Sequence, residues 1–110
     1  MNLLTKLAVD ELGEDAFAVV VERLRAALGD SRGKLRASAA LSLAGFKSPS
    51  YHRQQLVARA LRELGWERGR YRFNGELLYA YARGTQLERE VMLDVERGDD
   101  DRLVVRLREP

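Results

Sequence analysis

The sequence predicts a single α+β domain in which helices come first and β-hairpins follow. Two observations favour this class. First, residues 49–64 carry apolar side chains at the spacing of one buried helical stripe: Leu56, Val57, Ala60, Leu61 and Leu64. Second, Asn74-Gly75 lies between two strand-like runs soon after Gly65, and Asn-Gly strongly favours a hairpin with a type I′ turn. A chain of 110 residues fits one domain.

Two helices are predicted before residue 33. Residues 2–12 form a short helix that gathers its apolar residues on one side: Leu3, Leu4, Leu7, Ala8 and Leu12. After Gly13, a second helix runs from Glu14 to about Leu28, with a core stripe of Phe17, Val20, Val21, Leu24 and Leu28. Gly29 is placed to end it. Residues 17–21 also permit a strand, but the helical spacing that continues to Leu28 favours the helix.

A third helix is predicted from about Lys34 to Ala44, with Leu35, Ala39 and Leu43 on its inner side. Phe46 is expected to fold back onto it. Residues 45–48 then form a tight connection into the next helix, which Ser48 caps and Pro49 begins. Two helices joined by a short turn that contains glycine form a helix-turn-helix.

A two-residue loop at Asn74-Gly75 sets the register of the first hairpin. Phe73 pairs with Glu76, Arg70 with Tyr79, and Arg68 with Tyr81. One face then carries Tyr71, Phe73, Leu78, Ala80 and Ala82, and we expect it to cover the core. The other face carries Arg68, Arg70 and Arg72 opposite Leu77, Tyr79 and Tyr81.

The C-terminal segment permits two interpretations. Thr85 and Glu88 have the spacing of a capping box, which favours a helix that ends at Gly98. Alternation of apolar residues on both sides of a turn at 97–101 favours a second hairpin instead. We prefer the hairpin, because Leu93 would face water on the helix. The acidic turn Asp99–Asp101 could hold a hard cation, but a solvated turn is the preferred interpretation.

Composition and charge restrict the function. The chain has no cysteine, no long apolar run and no signal-peptide pattern, so we expect a cytoplasmic protein that does not contact membranes. The net charge is +2, yet residues 32–83 carry +8 while the segments on either side carry −3 each. Such a basic centre is typical of a module that binds polyanions.

The outward side of the helix over residues 49–64 supplies the candidate base-reading residues. Gln55 and Arg59 are of the types that read adenine and guanine edges, and Ala58 is a small outward residue. The basic first turn of this helix suits an anion. The residues predicted to bind nucleic acid are Lys47, Ser50, Tyr51, His52, Gln55, Arg59, Arg62, Arg68, Arg70, Arg72 and Tyr79. A solvated polar face is the alternative interpretation.

The sequence offers little for catalysis. His52 is the only histidine, so one chain cannot supply a Ser/His/Asp set or a metal site based on several histidines. No glycine loop of the phosphate-binding type is present. We therefore expect no enzyme, no metal, no cofactor and no small-molecule substrate.

The order of helix, helix, turn, helix and basic hairpin resembles the winged helix-turn-helix superfamily. The segment LRELGW at 61–66, followed by a basic strand, a turn and an aromatic strand, is similar to small domains of phage and plasmid primase-helicase proteins. This resemblance covers residues 34–84. It implies binding of double-stranded DNA, with the helix over 49–64 in the major groove and residues 68–83 as the wing.

We expect a homodimer that acts as a transcription regulator or a replication accessory, with residues 1–12 and 87–107 as the apolar material for self-association. The main alternative is a non-enzymatic protein-interaction or inhibitor module of a mobile element with the same fold. A third possibility is binding of single-stranded nucleic acid through stacking on Tyr79 and Tyr81.

Overall fold

The computed structural model describes residues 14–98 and 102–108, and it confirms the predicted α+β class. Its elements are α1 (Glu14–Leu28), β1 (Gly33–Arg36), α2 (Ala37–Leu43), α3 (Tyr51–Glu63), β2 (Glu67–Phe73), β3 (Glu76–Arg83), a 3₁₀ turn (Glu88–Glu90), β4 (Met92–Arg97) and β5 (Leu103–Arg108). The helix predicted over residues 2–12 and the acidic turn at Asp99–Asp101 lie outside the described residues.

The five strands form one mixed sheet in the order β2-β3-β1-β4-β5. Strand β1 is antiparallel to β3 and parallel to β4, so it holds the two hairpins together. The prediction that the third helix begins at about Lys34 was wrong, because residues 34–36 belong to strand β1. A strand of four residues is too short to distinguish a period of 2 from a period of 3.6.

The main core lies between the three helices and one face of the sheet. The stripe predicted for α1 is confirmed at Val20, Val21, Leu24 and Leu28, which are buried, while Phe17 is only half-buried. From the sheet, Leu35, Tyr81 and Leu93 pack into the same cluster. The helices therefore cover the sheet face that carries these three side chains.

The register predicted for the β2–β3 hairpin is confirmed, from Phe73 opposite Glu76 to Arg68 opposite Tyr81. Asn74 and Gly75 have φ angles of 52° and 89°, as a type I′ turn requires. The prediction of which hairpin face meets the main core was wrong. Tyr81 joins the main core, whereas Phe73 and Ala80 form a smaller cluster with Met92. Alternation separates two faces but does not say which one the helices cover.

Helix α3 begins later than predicted. Ser50 is its N-cap, and its Oγ accepts a hydrogen bond of 3.2 Å from the backbone N–H of Arg53. The expectation that Ser48 caps the helix and Pro49 begins it was wrong, and the connection from α2 spans residues 44–50 rather than a tight turn. Phe46 is buried as expected. Ala58, expected to face outward, is 9% exposed and belongs to the core.

The preferred interpretation of the C-terminal segment is confirmed, because β4 and β5 pair as a hairpin with Leu93 opposite Leu107. The capping box is also formed. The Thr85 N–H donates to Glu88 Oε1 at 2.7 Å, and the Glu88 N–H donates to Thr85 Oγ1 at 3.3 Å. It begins only the 3₁₀ turn. Within the described ranges, no helix combines the length and the apolar character that crossing a bilayer demands.

Candidate nucleic-acid interface

Strand β2 presents three arginines on one face of the hairpin: Arg68, Arg70 and Arg72. All three are exposed, and none forms an ion pair with a described residue. Strand alternation places the hairpin acids Glu67 and Glu76 on the opposite face. Arg72 Nη1 donates to the Gly75 carbonyl oxygen at 3.2 Å, and the remaining guanidinium donors of this face are available to an external anion.

Tyr79 lies across from Arg70 on the neighbouring strand and completes this surface. The guanidinium carbons of Arg68 and Arg70 lie 5.6 Å and 5.4 Å from the centroid of its ring. At these distances the ring attracts both cations, which limits their side-chain freedom without neutralising their charge. Tyr79 is still 61% exposed. We call these three residues, together with Arg72, the wing face.

The exposed side of α3 carries most of the residues predicted to read bases. Tyr51 is 79% exposed, and His52, Gln55 and Arg62 are also exposed. Arg59 is exposed too, but its guanidinium carbon lies 4.8 Å from the centroid of the Phe17 ring, so it leans toward α1. Of the residues predicted on this helix, Tyr51, His52, Gln55 and Arg62 are exposed, whereas Arg59 contacts α1.

The start of α3 is held by local hydrogen bonds. Arg53 Nη1 donates to the carbonyl oxygen of Ser48 at 3.0 Å and to Ser48 Oγ at 2.9 Å, and its guanidinium carbon lies 5.4 Å from the centroid of the Phe46 ring. Ser50 caps the helix. These contacts give Ser50 and Arg53 a structural role in fixing the connection, so the basic first turn is not by itself a sign of a bound anion.

A cleft of about 450 Å³ lies between the α2–α3 connection and the β2–β3 hairpin. It brings together three of the predicted residues, Lys47, Arg68 and Tyr79. The cleft is also lined by residues that were not predicted to form a site, among them Ser38, Ser42, Phe46 and Gln54. Gln54 lies beside the buried stripe of α3 rather than opposite it. No periodicity could identify it without the position of the hairpin.

The basic residues of the central segment do not form one surface. Arg32 pairs with Glu88, at 3.0 Å from Nη1 to Oε2. Lys34 and Arg36 lie over the Phe73 ring, at 5.3 Å and 5.0 Å from its centroid. The charge of +8 is therefore shared between the wing face, α3 and positions that stabilise the fold.

Arg83 is the clearest of these structural arginines. It donates to three backbone carbonyl oxygens: Nη2 to Gly29 at 2.6 Å, Nε to Ser31 at 2.9 Å and Nη1 to Leu64 at 3.1 Å. Its guanidinium carbon also lies 4.8 Å from the centroid of the Trp66 ring. Burial lowers its pKa, and the Asp30 carboxylate opposes this shift. Arg83 thus joins the ends of α1 and α3 to the sheet.

The titratable groups with shifted pKa values are explained by local contacts. The pKa of Glu67 is lowered by a hydrogen bond from Arg89, and that of Glu88 by the Thr85 N–H and the Arg32 guanidinium. Among the described residues, no group of three or more acids and histidines lies close enough to hold a metal ion. These features indicate structural roles for the shifted groups.

Comparison of this chain with protein-family models, with curated proteins and with solved structures found no match. The geometry of the wing face, of α3 and of the cleft beside the hairpin is therefore the basis for a function.

Proposed function

We propose that this protein binds double-stranded DNA in the manner of a winged-helix protein, with α3 in the major groove and the β2–β3 hairpin as the wing on the phosphate backbone. The observation that carries this proposal is the wing face. Three arginines without a carboxylate partner stand on one strand, and an exposed tyrosine lies between two of them. Like charges repel when they are aligned, so this arrangement gains most when a polyanion binds.

The chain order supports the same arrangement. Helix α3 leads into β2 after only three residues, 64–66, and the hairpin is anchored because β3 pairs with β1. The exposed side of α3 also offers Gln55 and Arg62, side chains of the types that read adenine and guanine edges. Phosphate contacts from the wing would fix the orientation of the protein on the duplex, and base contacts from α3 would supply the sequence preference.

A homodimer that acts as a regulator or as a replication accessory is part of this proposal. Strand β5 ends the sheet on the side away from the wing, and its Leu103 and Leu107 are exposed, Leu107 by 67%. A free strand edge with apolar side chains favours pairing with another chain. Two copies would present two α3 helices to half-sites about 34 Å apart.

A second candidate function is a protein-interaction module that does not bind nucleic acid. The observation in its favour is apolar exposure far from the wing face, at Leu87 and Leu107. Exposed apolar side chains mark a contact with a protein partner where they form one contiguous patch. This candidate predicts that substitutions on the wing face leave partner binding unchanged.

The deciding experiment is a gel shift with duplex and single-stranded DNA pools. We expect Arg70→Ala to weaken binding of cognate and random duplex alike, because it removes a phosphate contact. Arg25→Ala is the matched control, since Arg25 is an exposed arginine of α1 that pairs with Glu22. If the wild-type protein binds no duplex at low salt, or if both variants lose affinity equally, the proposal fails.

A second comparison separates the helix from the wing. Gln55→Ala should cost about 1–3 kcal/mol on a selected duplex and relax its sequence preference. Gln86→Ala removes an equally exposed glutamine from the loop before the 3₁₀ turn and should have no effect. If the protein shows no preference for any duplex sequence while Arg70→Ala weakens binding, the binding is non-specific and the regulator role is refuted. If a preference exists and Gln55→Ala leaves it intact, Gln55 does not read the bases.

A further inference from the structure

The cleft between the α2–α3 connection and the hairpin has the composition of a ligand site. Its volume of about 450 Å³ is within the range of roughly 300–1,000 Å³ of small-molecule sites. Its walls include three aromatic rings, Phe46, Tyr79 and Tyr81, and two cations, Lys47 and Arg68. Among the described residues, no acid lines it. The cleft therefore combines planar apolar surfaces with positive charge.

Tyr81 adds an observation that points to a ligand. Its side chain is 5% exposed, and no described residue forms a hydrogen bond with its hydroxyl group. The hydroxyl oxygen retains some accessible surface, and Tyr81 is one of the residues that line the cleft. Burial raises its pKa, while the charge of Arg68 lowers it. A hydroxyl without a partner among the described residues can donate to an acceptor on a ligand in place of water.

Two other polar side chains that line the cleft, both exposed, have no hydrogen-bond partner among the described residues. Ser42 Oγ donates to the Ser38 carbonyl oxygen at 3.2 Å, and Ser48 Oγ accepts from Arg53. The hydroxyl of Ser38 and the amide of Gln54 are left to line the cleft. A carboxamide offers a donor and an acceptor side by side, which matches the edge of a nucleobase.

We propose that this cleft binds a nucleotide, with its base between the aromatic walls and Gln54 and its phosphate at Lys47 and Arg68. The phosphate accounts for two cations with no acid beside them, and the base accounts for the rings and the amide. Stacking on aromatic side chains tolerates any base. The nucleotide is either a free mononucleotide or one unstacked from a single strand. The inference goes beyond duplex binding: the cleft shares Arg68 and Tyr79 with the wing face, but it does not use Arg70, Arg72 or the outward side of α3.

The test is isothermal titration calorimetry of the full chain with deoxyadenosine 5′-monophosphate, deoxyadenosine and inorganic phosphate. The monophosphate should bind at least tenfold more tightly than either fragment, because only it fills both parts of the cleft. Tyr81→Phe, which removes one hydroxyl, should weaken it about threefold to tenfold. Tyr71→Phe is the matched control, because strand alternation places Tyr71 on the opposite face of the hairpin. It should have no effect.

A second variant keeps the test decisive if Tyr81→Phe unfolds the protein. Lys47 is exposed, so Lys47→Met should fold, and it should reduce the advantage of the monophosphate over deoxyadenosine. A single-stranded oligonucleotide identifies the source. If it binds and the monophosphate does not, and Tyr81→Phe or Lys47→Met weakens it, the nucleotide belongs to a strand.

Two results would overturn the inference. One is equal binding of inorganic phosphate and the monophosphate, which would leave only an anion site. The other is a lack of effect of both variants on the monophosphate and on the single strand. Duplex binding is measured separately with Arg70→Ala, so a failure of this inference is distinguishable from a failure of the proposed function.

Discussion

Replacing Arg83 with methionine should destabilise the fold more than replacing any other single arginine of the central segment. The guanidinium group joins three carbonyl oxygens from two different connections, at Gly29, Ser31 and Leu64. Methionine retains the apolar stem that packs in this region but removes every donor. The three carbonyls would then have to find water or remain unpaired.

The magnitude follows from these bonds. A hydrogen bond contributes about 0.5–1.5 kcal/mol net, and a charged donor gives more, but Arg83 is only partly buried and water screens it. Taking about 1 kcal/mol for each of three carbonyls gives about 3 kcal/mol in all. Loss of the contact with Trp66 adds about 0.5 kcal/mol. A change of this size should lower the Tm by roughly 15 °C.

Urea denaturation followed by circular dichroism measures this change. We expect a lower midpoint with an unchanged m-value, because the folded state keeps its surface. Arg32→Met is the control, since Arg32 forms one exposed ion pair with Glu88 and should cost about 0–1 kcal/mol. A loss below about 1 kcal/mol for Arg83→Met would refute the assignment of Arg83 as the structural link.

Three further outcomes are expected. The slope of log affinity against log salt for duplex DNA should become shallower by about 0.9 in Arg70→Ala, and an unchanged slope would mean that Arg70 touches no phosphate. Gly33→Ala should destabilise the fold by about 1–3 kcal/mol in urea, because φ is 148° and a Cβ would lie 2.6 Å from the Val91 carbonyl oxygen. Stability should fall as the pH drops below about 4.5, since the folded-state pKa of Glu88 is lowered from that value and its stabilising effect is present only above it. Glu88→Gln should flatten this acid dependence, which acid titration of the Tm measures.

The sequence predicted correctly those elements that have a long periodic pattern or a turn with a characteristic residue pair. Asn74-Gly75 has the backbone freedom of a type I′ turn, so the register of seven residue pairs followed from two residues. The β4–β5 hairpin followed from the cost of exposing Leu93 on a helix. Strand β1 could not be found in this way, because its pairing with β3 and β4 comes from distant residues. The local pattern of Leu35 fits a helix as well as a strand.

The candidate site shows the same limit. Periodicity identified the exposed group on α3 and the arginines of β2, because each set belongs to one element. It did not show that Arg59 leans onto Phe17 or that Arg83 serves the fold. The cleft could not be predicted at all, since Gln54, Phe46 and Tyr81 come from three separate elements. Charge counted along the sequence therefore overstates the charge available to a ligand.

Arg68 belongs to both proposed sites, and this yields a prediction that neither site makes alone. It lies on the wing face beside Tyr79, and it lines the cleft. A nucleotide phosphate at Arg68 would compete with a DNA phosphate for the same guanidinium. Saturating deoxyadenosine 5′-monophosphate should therefore weaken duplex binding.

This competition can be measured against salt. One phosphate contact accounts for a loss of affinity of about 3.5-fold when the salt concentration rises from 50 mM to 200 mM. A protein that lacks this contact does not show that part of the loss. The monophosphate should thus weaken duplex binding most at low salt and reduce the slope by about 0.9. Because coupling between two ligands is reciprocal, duplex DNA should weaken the monophosphate by the same factor. Deoxyadenosine is the control, since it lacks the phosphate. If the monophosphate binds and the duplex affinity stays unchanged at 50 mM salt, Arg68 does not serve both ligands.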